Sequence, residues 1–243
     1  MKKLVLALSV IASTFILCAC GSSSDNKLVM ATNAAFPPYE MVEGSEIIGI
    51  DAEIAQLIAK DLGRELVIED MAFDSVIAAV TTKKADIAMA GLTITEDRKQ
   101  NINFSDPYTT AAQVIVVKSD SNVASPDDLI GKTVGVQIGT TGDIYAADIE
   151  NATIERYSKY FEAISALTQG KIDAVIVDRE PARVFVNDNA DLKMVDEEFT
   201  LEEYAIGVNK EDTELLDQIN ASLKKLKESG EIDRIIDKYI KAE

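Results

Sequence analysis

The chain contains no histidine and no tryptophan among its 243 residues. Without histidine there can be no His-based metal site, no Ser-His-Asp triad and no Cys-His dyad. Carboxylate and lysine chemistry stay possible, but neither comes with a specific motif. We therefore expect no catalytic residue, no metal and no cofactor.

Basic residues are scarce relative to acidic ones. There are 24 lysines and arginines against 42 acidic residues, for a formal net charge of −18. Such a surface repels nucleic-acid phosphates and an anionic membrane. We expect no nucleic-acid partner, and any membrane contact should come from an anchor.

Cysteine occurs only at Cys18 and Cys20, at the end of an N-terminal targeting segment. Two lysines at positions 2 and 3 precede an apolar run over 4–17, which is short for a transmembrane helix. The segment resembles a bacterial lipoprotein signal. The resemblance implies that residues 1–19 are removed, that Cys20 carries lipid and that 20–26 form a flexible linker. An ordinary secretory signal cut at another small residue is the alternative, and in either case the folded part has no disulfide.

From Lys27 onward, short apolar strands alternate with amphipathic helices, a pattern typical of an α/β fold. The hydrophobic content of 47% supports a substantial core. Turn-forming residues, helix caps and apolar runs give four local predictions. Two prolines predict a loop over 33–39, and Gly63 is expected to end a helix over 51–62. Asp74 is expected to cap a helix that starts at Ser75, and an apolar run predicts one strand over 203–208.

The stretch from Gly91 to Arg98 organises the interpretation of the site. It follows a short apolar strand, and Thr95 is a good N-cap for a helix in which Arg98 lies in the first turn. A cation there opposes the helix dipole. Arg98 either forms a surface ion pair or reaches back over the strand end to bind an anion, with Thr93 and the Gly91 backbone beside it.

An internal similarity links two segments separated by 87 residues. Phe73 aligns with Tyr160, and both segments read as helix, tight turn and apolar strand. At the strand ends Gly91 aligns with Asp178. The match is either a sign of two related lobes or a coincidence between ordinary αβ units. Because ligands in open α/β sheets collect beyond the carboxyl ends of strands, facing lobes would place Arg98 and Asp178 in one cleft.

Such a cleft suits a free α-amino acid, with arginine for the carboxylate and aspartate for the ammonium. Asp178 could instead be a simple helix N-cap. The turn at Gly139, Thr140 and Thr141 is either an anion-binding turn or an ordinary cap. Phe36 and Phe73 are core residues or, if exposed, could sandwich a ligand.

Together these segments resemble a known family, the polar amino-acid-binding proteins of ABC importers, which have the type II periplasmic-binding-protein fold. The resemblance covers the chain from about Lys27. The matching segments are Ala31-Thr32-Asn33-Ala34-Ala35-Phe36-Pro37-Pro38-Tyr39-Glu40, Gly49-Ile50-Asp51, the Gly-x-Thr-x-Thr-x-x-Arg motif ending at Arg98, Phe104-Ser105-Asp106-Pro107-Tyr108 and Asp173-Ala174-Val175-Ile176-Val177-Asp178.

The resemblance implies an α/β fold of two lobes, each an α/β sandwich with a mainly parallel sheet, joined by a two-strand hinge near Tyr108 and Tyr204. Lobe 1 would comprise 27–107 and 205–243, and lobe 2 would comprise 108–204. It also implies a monomer outside the cytoplasm, lipid-anchored to the outer face of the cell membrane, that delivers an amino acid to a permease.

The resemblance further implies roles for individual residues. Arg98, Thr93 and the Thr141 backbone, with Thr140 beside it, would bind the α-carboxylate. Asp178 and the Gly91 carbonyl would bind the α-ammonium, and Phe36 and Phe73 would flank the side chain. Relatives for charged side chains usually have an acid where this chain has Asn33, and glutamine binders usually have Lys where it has Gln137. We therefore expect a polar, uncharged amino acid.

Two competing functions remain at this point. A cyclohexadienyl-dehydratase-like enzyme on the same fold would need a carboxylic acid in the cleft. Glu40, Asp143 and Glu180 are the candidates, but an intact Arg98 and Asp178 pair favours binding over catalysis. A sensor domain is disfavoured because no signalling segment follows the second lobe.

Overall fold

The computed structural model describes residues 26–195 and 197–240. The predicted signal peptide, the lipidation at Cys20 and nearly all of the predicted linker lie outside these residues. Within the described ranges, no helix combines the length and the apolar character needed to cross a membrane.

The described part contains α-helices, numbered here in chain order, and one 3₁₀ turn at Pro126–Leu129. The α-helices are α1 (Ile50–Asp61), α2 (Phe73–Thr81), α3 (Glu96–Lys99), α4 (Thr141–Ala147), α5 (Tyr160–Thr168), α6 (Arg179–Asp188), α7 (Thr213–Glu228) and α8 (Glu231–Tyr239). The strands are β1 (Lys27–Thr32), β2 (Ala35–Phe36), β3 (Glu40–Glu43), β4 (Glu46–Ile48), β5 (Glu65–Asp70), β6 (Ile87–Ala88), β7 (Ile102–Phe104), β8 (Thr109–Lys118), β9 (Thr133–Gln137), β10 (Thr153–Tyr157), β11 (Ala174–Asp178), β12 (Leu192–Met194), β13 (Thr200–Tyr204) and β14 (Gly207–Asn209).

Two mixed sheets form the two halves of the molecule. The first has the order β5-β1-β6-β14-β7, and the second has the order β10-β9-β11-β8-β12 with β13 also paired to β8. In each sheet the βαβ units are parallel, whereas the strands next to the chain crossings are antiparallel. The α/β fold class is confirmed. Each sheet is mainly parallel in strand direction, because one strand in each, β14 in the first and β8 in the second, runs against the others.

The chain passes between the two sheets at two adjacent places. One crossing joins β7 to β8, and the other joins β13 to β14. The two crossings hydrogen-bond to each other, from Ser105 N to Ile206 O at 2.9 Å and from Tyr108 N to Tyr204 O at 2.9 Å. A pair of bonded connections allows one half to rotate against the other about a common line.

The internal similarity predicted from the sequence is present in the backbone. Helices α2 and α5 begin and end at positions separated by the same shift of 87 residues. The aligned pair Asp86 and Asp173 also makes equivalent bonds: Asp86 Oδ2 accepts from Val29 N at 2.7 Å, and Asp173 Oδ2 accepts from Thr133 N at 2.8 Å. Each aspartate thus ties its own strand to the parallel neighbour, so the two units are built alike.

Two of the local predictions were wrong in part. Residues 33–39 are not all loop, because β2 pairs with β3 and the prolines occupy only the turn between them, where no ladder N–H is needed. The predicted strand over 203–208 is two strands in different sheets, because the chain crosses between the halves there.

Of the two helix ends predicted from the sequence, the N-cap of α2 was wrong and the end of α1 was confirmed. Helix α2 begins at Phe73 with Ala72 at the N-cap, so Asp74 does not cap it but lies in its first turn, where a carboxylate suits the helix dipole. Helix α1 has Leu62 at its C-cap, followed by Gly63 with a φ of +68°. That left-handed residue is the helix stop predicted from the sequence.

Gly49 immediately precedes α1 and has a backbone that only glycine adopts easily. Its φ is +131° and its ψ is −179°, and a Cβ there would lie 2.2 Å from the Tyr39 carbonyl oxygen. This close approach lets Tyr39 O accept from Asp51 N at 2.9 Å, which holds the β2–β3 turn against the start of the helix. The same turn supplies Phe36 and Glu40 to the site described below.

We predict that Gly49→Ala lowers the free energy of unfolding by about 2–4 kcal/mol, because backbone strain and a clash with backbone atoms add. Gly44→Ala is the matched control, since Gly44 has a φ of +62° but an added Cβ there would meet no atom within 4 Å. It should cost only about 1 kcal/mol. Urea denaturation measures both, and equal losses in the two variants would contradict the steric explanation.

Candidate ligand-binding site

A narrow cavity lies between the two sheets. The structure places all ten predicted ligand-binding residues on its wall, together with Glu40, Ala90 and Tyr160. The predicted ten are Asn33, Phe36, Phe73, Gly91, Thr93, Arg98, Gln137, Thr140, Thr141 and Asp178.

Arg98 points into this cavity and is only 6% exposed. Thr95 caps α3, accepting from Arg98 N at 3.2 Å, as the sequence predicted. The guanidinium donates from Nη1 to Thr93 O at 2.8 Å and from Nη2 to Gly139 O at 3.0 Å. Burial lowers the pKa of Arg98 from its ordinary value, and nearby negative charges oppose the shift. Arg98 is therefore a buried cation held by carbonyls from both halves, and the surface ion pair is excluded.

Asp178 lies on the opposite wall at the end of β11. It occupies the N-cap position of α6 but makes no side-chain capping bond, and it accepts a short hydrogen bond from the Tyr204 hydroxyl. Burial, followed by the charge of Glu202, raises the pKa of Asp178 to about 7. The Asp178 side chain therefore makes no capping bond to α6, and it lines the cavity.

The turn after β9 was expected to be either an anion-binding turn or an ordinary helix cap, and its geometry is compatible with both. Thr140 caps α4, accepting from Asp143 N at 3.3 Å while donating to Gln137 O at 2.8 Å. Thr141 is the first residue of α4, and the first N–H groups of a helix have no intrahelical acceptor. The turn is a helix cap whose free N–H groups lie at the cavity wall.

Aromatic rings and amides close the remaining sides. The rings of Phe36 and Tyr160 stack across the cleft with centroids 5.7 Å apart. The Arg98 guanidinium carbon lies 5.4 Å from the centroid of the Phe73 ring. Gln137 Nε2 donates to Asn33 Oδ1 at 2.9 Å, so an amide pair also joins the two halves.

Gly91 is required by this packing. Its φ is +55°, and a Cβ there would lie 2.6 Å from Cε1 of Phe36. Its N–H donates to Asp51 Oδ2 at 2.9 Å. A side chain at this position would push Phe36 out of its stack.

Glu40, Ala90 and Tyr160 line the cavity but are not among the ligand-binding residues predicted from the sequence. Glu40 had been considered only as an acid for the enzyme alternative; of the three acids named there, it alone lines this cavity. Its side chain is fully buried and is hydrogen-bonded to the carboxyl group of Asp51, with which a protonated Glu40 shares its proton. Tyr160 could have been found, since it is the counterpart of Phe73 under the 87-residue shift.

Three buried acids in and below the cavity have raised pKa values. Burial is the main cause in each case, and it raises the pKa of Asp51 to about 6 and that of Asp178 to about 7. Burial and the charge of Asp51 raise the pKa of Glu40 well above its ordinary value. Between its unfolded pKa and its raised folded pKa, each of these acids holds a proton in the folded protein that the unfolded chain has already released.

We predict that the ligand-free protein loses stability as the pH rises from about 4.5 to 7.5, by on the order of 2 kcal/mol or more. In that window the unfolded carboxyls are ionised while the folded ones keep protons, so raising the pH favours unfolding. Urea denaturation at a series of pH values measures the slope. Asp178→Asn should flatten it, whereas Asp188→Asn, at an exposed acid, should not; a slope of the opposite sign would refute the assignment.

Comparisons with known proteins agree with this arrangement. Residues 28–242 match the family model for bacterial extracellular solute-binding proteins, family 3. The chain is 35% identical to the arginine-binding extracellular protein ArtP of Bacillus subtilis, over the full length of both.

Two solved structures are also similar. The arginine-bound form of truncated ArgBP from T. maritima has 45% identity and a TM-score of 0.81, covering 84% of this chain and 97% of that one. An ancestral arginine-binding protein bound to glutamine has 38% identity and a TM-score of 0.83, covering 89% of this chain and 99% of that one.

The relatives are named as binding proteins and not as enzymes, so the dehydratase alternative has no support from them. The family of extracellular solute-binding proteins indicates a location outside the cytoplasm. A relative with 31% identity, ABC transporter arginine-binding protein 1 of Escherichia coli, indicates a partnership with an ABC transporter. The chain belongs to the bacterial extracellular solute-binding proteins of family 3, as an amino-acid-binding member with the type II periplasmic-binding-protein fold.

Proposed function

We propose that the protein captures one free amino acid between its two halves, closes around it and delivers it to the permease of an ABC importer. The observation that carries the proposal is the cavity itself, with buried Arg98 on one wall and buried Asp178 on the other. An α-amino acid has both complementary charges on one carbon, so it would be held at two ends. Ligand contacts to both halves would supply the free energy of closure.

In this proposal the halves are lobe 1, comprising 27–107 and 205–243, and lobe 2, comprising 108–204. The two bonded crossings between the sheets support these boundaries. The hinge would lie in the crossings, because they contain the backbone that joins the halves. A ligand that touches Arg98 and Asp178 then bridges the lobes and opposes their separation.

The α-carboxylate is assigned to Arg98, to Thr93 and to the first N–H groups of α4 at Thr141. Charge-assisted bonds from a guanidinium fork and a helix N-terminus both favour an anion there. The α-ammonium is assigned to Asp178 and the Gly91 carbonyl.

For the ligand side chain, the favoured candidate is arginine. Glu40 lines the cavity as an acid in addition to Asp178, so the α-ammonium alone leaves one carboxyl group of the wall without a cationic partner. A guanidinium between the rings of Phe36 and Phe73 would ionise Glu40 and pair with it. The arginine-binding relatives support the same choice.

An uncharged polar amino acid such as glutamine is the second candidate, as the sequence predicted. It is favoured by the facing amides of Asn33 and Gln137 and by the raised pKa of Glu40, which keeps that group neutral in the empty cavity. The similarity to an ancestral protein bound to glutamine also supports it.

We further propose that the protein acts as a monomer anchored through lipid on Cys20. The N-terminal sequence supports the anchor, and the acidic surface leaves it as the means of membrane attachment. Fractionation of cells producing Cys20→Ser tests it: the protein should leave the membrane fraction, and continued retention would refute the anchor.

We predict that Arg98→Ala weakens amino-acid binding by about 3–5 kcal/mol, because the ligand carboxylate is left buried without its partner. Calorimetric titration measures the loss. Lys99→Ala is the matched control, since Lys99 is the next residue, is exposed and pairs with Glu96 at 2.8 Å. Unchanged affinity in the Arg98 variant would mean that the site is misplaced.

The ligand is distinguished by titrating wild type, Glu40→Gln and the control Glu43→Gln with a panel of amino acids. Glu43 lies in the same strand and is exposed. If arginine is the ligand, Glu40→Gln should weaken arginine binding by roughly 10- to 100-fold and glutamine binding far less, because only the guanidinium needs the charge. Tight glutamine binding with no response to arginine would favour the second candidate.

A further inference from the structure

Glu202 lies directly behind the carboxylate-binding half of the cavity without lining it. It belongs to β13, is 6% exposed and is therefore a buried acid. Its Oε2 accepts from Thr93 Oγ1 at 2.8 Å and from Gln113 Nε2 at 3.2 Å. The Thr93 hydroxyl, which the proposed function places at the ligand carboxylate, is thus engaged by a carboxylate of the protein itself.

The same threonine connects Glu202 to the buried guanidinium. Arg98 Nη1 donates to Thr93 O, so Thr93 lies between the acid and the base. Among the described residues, no carboxylate lies within 4.0 Å of Arg98 in an ion pair. Its charge is compensated at longer range, with Glu202 the larger contributor and Asp178 the smaller.

Gln113, which like Glu202 belongs to lobe 2, extends the arrangement to the start of α4. Its Nε2 also lies 3.2 Å from Thr141 Oγ1, at the first residue of α4. Glu202 is therefore hydrogen-bonded, directly or through Gln113, to side chains of both carboxylate-binding walls. A buried carboxylate at this point acts on the whole half-site.

We propose that Glu202 is the resident counter-anion of the carboxylate-binding half-site. It stabilises Arg98 and Thr93 while the cavity is empty, and it opposes the ligand carboxylate once that anion arrives. The inference rests on the proposed function, because it requires a ligand carboxylate beside Arg98. Glu202 is a positioning residue, since it acts through Thr93 and Arg98 and not by contact with the ligand.

The physical reason lies in the sign of the charges. An empty cavity that buries an arginine needs a nearby anion, because an uncompensated buried cation is costly. The ligand carboxylate brings a second negative charge to the same cation, and two anions in a low-dielectric site repel each other. Glu202 thus lowers affinity while raising the stability of the empty form, which favours release of the amino acid to the permease.

The test uses Glu202→Gln, with Glu203→Gln as matched control because Glu203 is the next residue and is exposed. Glutamine keeps the size and one acceptor oxygen but removes the charge. L-arginine, L-glutamine and L-argininamide are titrated calorimetrically into ligand-free protein, and thermal unfolding of that protein is followed by circular dichroism.

We expect Glu202→Gln to bind the preferred free amino acid roughly 3- to 10-fold more tightly than wild type. The empty variant should unfold a few degrees lower. Argininamide, whose α-carboxyl is neutral, should show no such gain, and Glu203→Gln should match wild type throughout.

The opposite sign overturns the inference. If Glu202 only held the fold together, its loss would weaken binding of the acid and the amide alike; weaker or unchanged affinity for the amino acid therefore refutes the counter-anion role. Glu202→Ala provides a second neutral variant if the glutamine variant fails to fold. Absence of binding by wild type to any amino acid would instead refute the proposed function.

Discussion

The buried guanidinium of Arg98 is the constraint on which the rest of the cleft depends. Removing a cation from water is costly unless hydrogen bonds and opposite charges replace the lost hydration. Here carbonyls from both halves accept from it, the Phe73 ring lies beside it, and acids lie beyond it. The Gly139 carbonyl and the acids belong to the other half, so these contacts require the halves to be close together.

Chain topology explains why the complementary groups meet. Each half contains a βαβ unit whose strand ends at the cleft, and the chain crosses between the sheets through adjacent connections. The equivalent positions Gly91 and Asp178 therefore face one cavity from opposite walls. The equivalent aromatics Phe73 and Tyr160 do so as well. Two related units in face-to-face contact give a two-sided site, with an arginine in one and an acid in the other.

Most of the fold and nearly all of the cavity wall could be predicted from sequence, because the relevant signals are local. Thr95 has the residue type and position of an N-cap, Gly63 those of a helix stop, and the repeat has a fixed spacing. The family resemblance then assigned positions that local patterns left open. The errors arose where tertiary pairing decided the outcome. The prolines predicted a loop over 33–39, but β2 pairs with β3 there. The predicted strand over 203–208 is two strands, because the chain crosses between the sheets after Tyr204.

The position of Glu40 could not be predicted from its neighbours for a different reason. Its sequence context, after two prolines and a tyrosine, is equally compatible with an exposed turn. It becomes part of the site because Gly49 lets the helix approach the Tyr39 carbonyl and draws the turn inward. Gly49, which lies outside the cavity, therefore determines that an acid lines it.

Selectivity for the ligand side chain then becomes a question of protonation. In the empty cavity, burial raises the pKa of Glu40 and so favours its neutral form, and the polar wall then resembles one built for an uncharged ligand. A bound arginine side chain would favour ionisation of the Glu40 carboxyl. Because Glu40 would then release a proton, arginine binding would depend on pH. The same residues could thus accept glutamine with Glu40 protonated and arginine with Glu40 ionised. On the proposed function, the free energy of deprotonating one buried acid sets the preference between the two, which explains why the uncharged residues at positions 33 and 137 do not by themselves decide it.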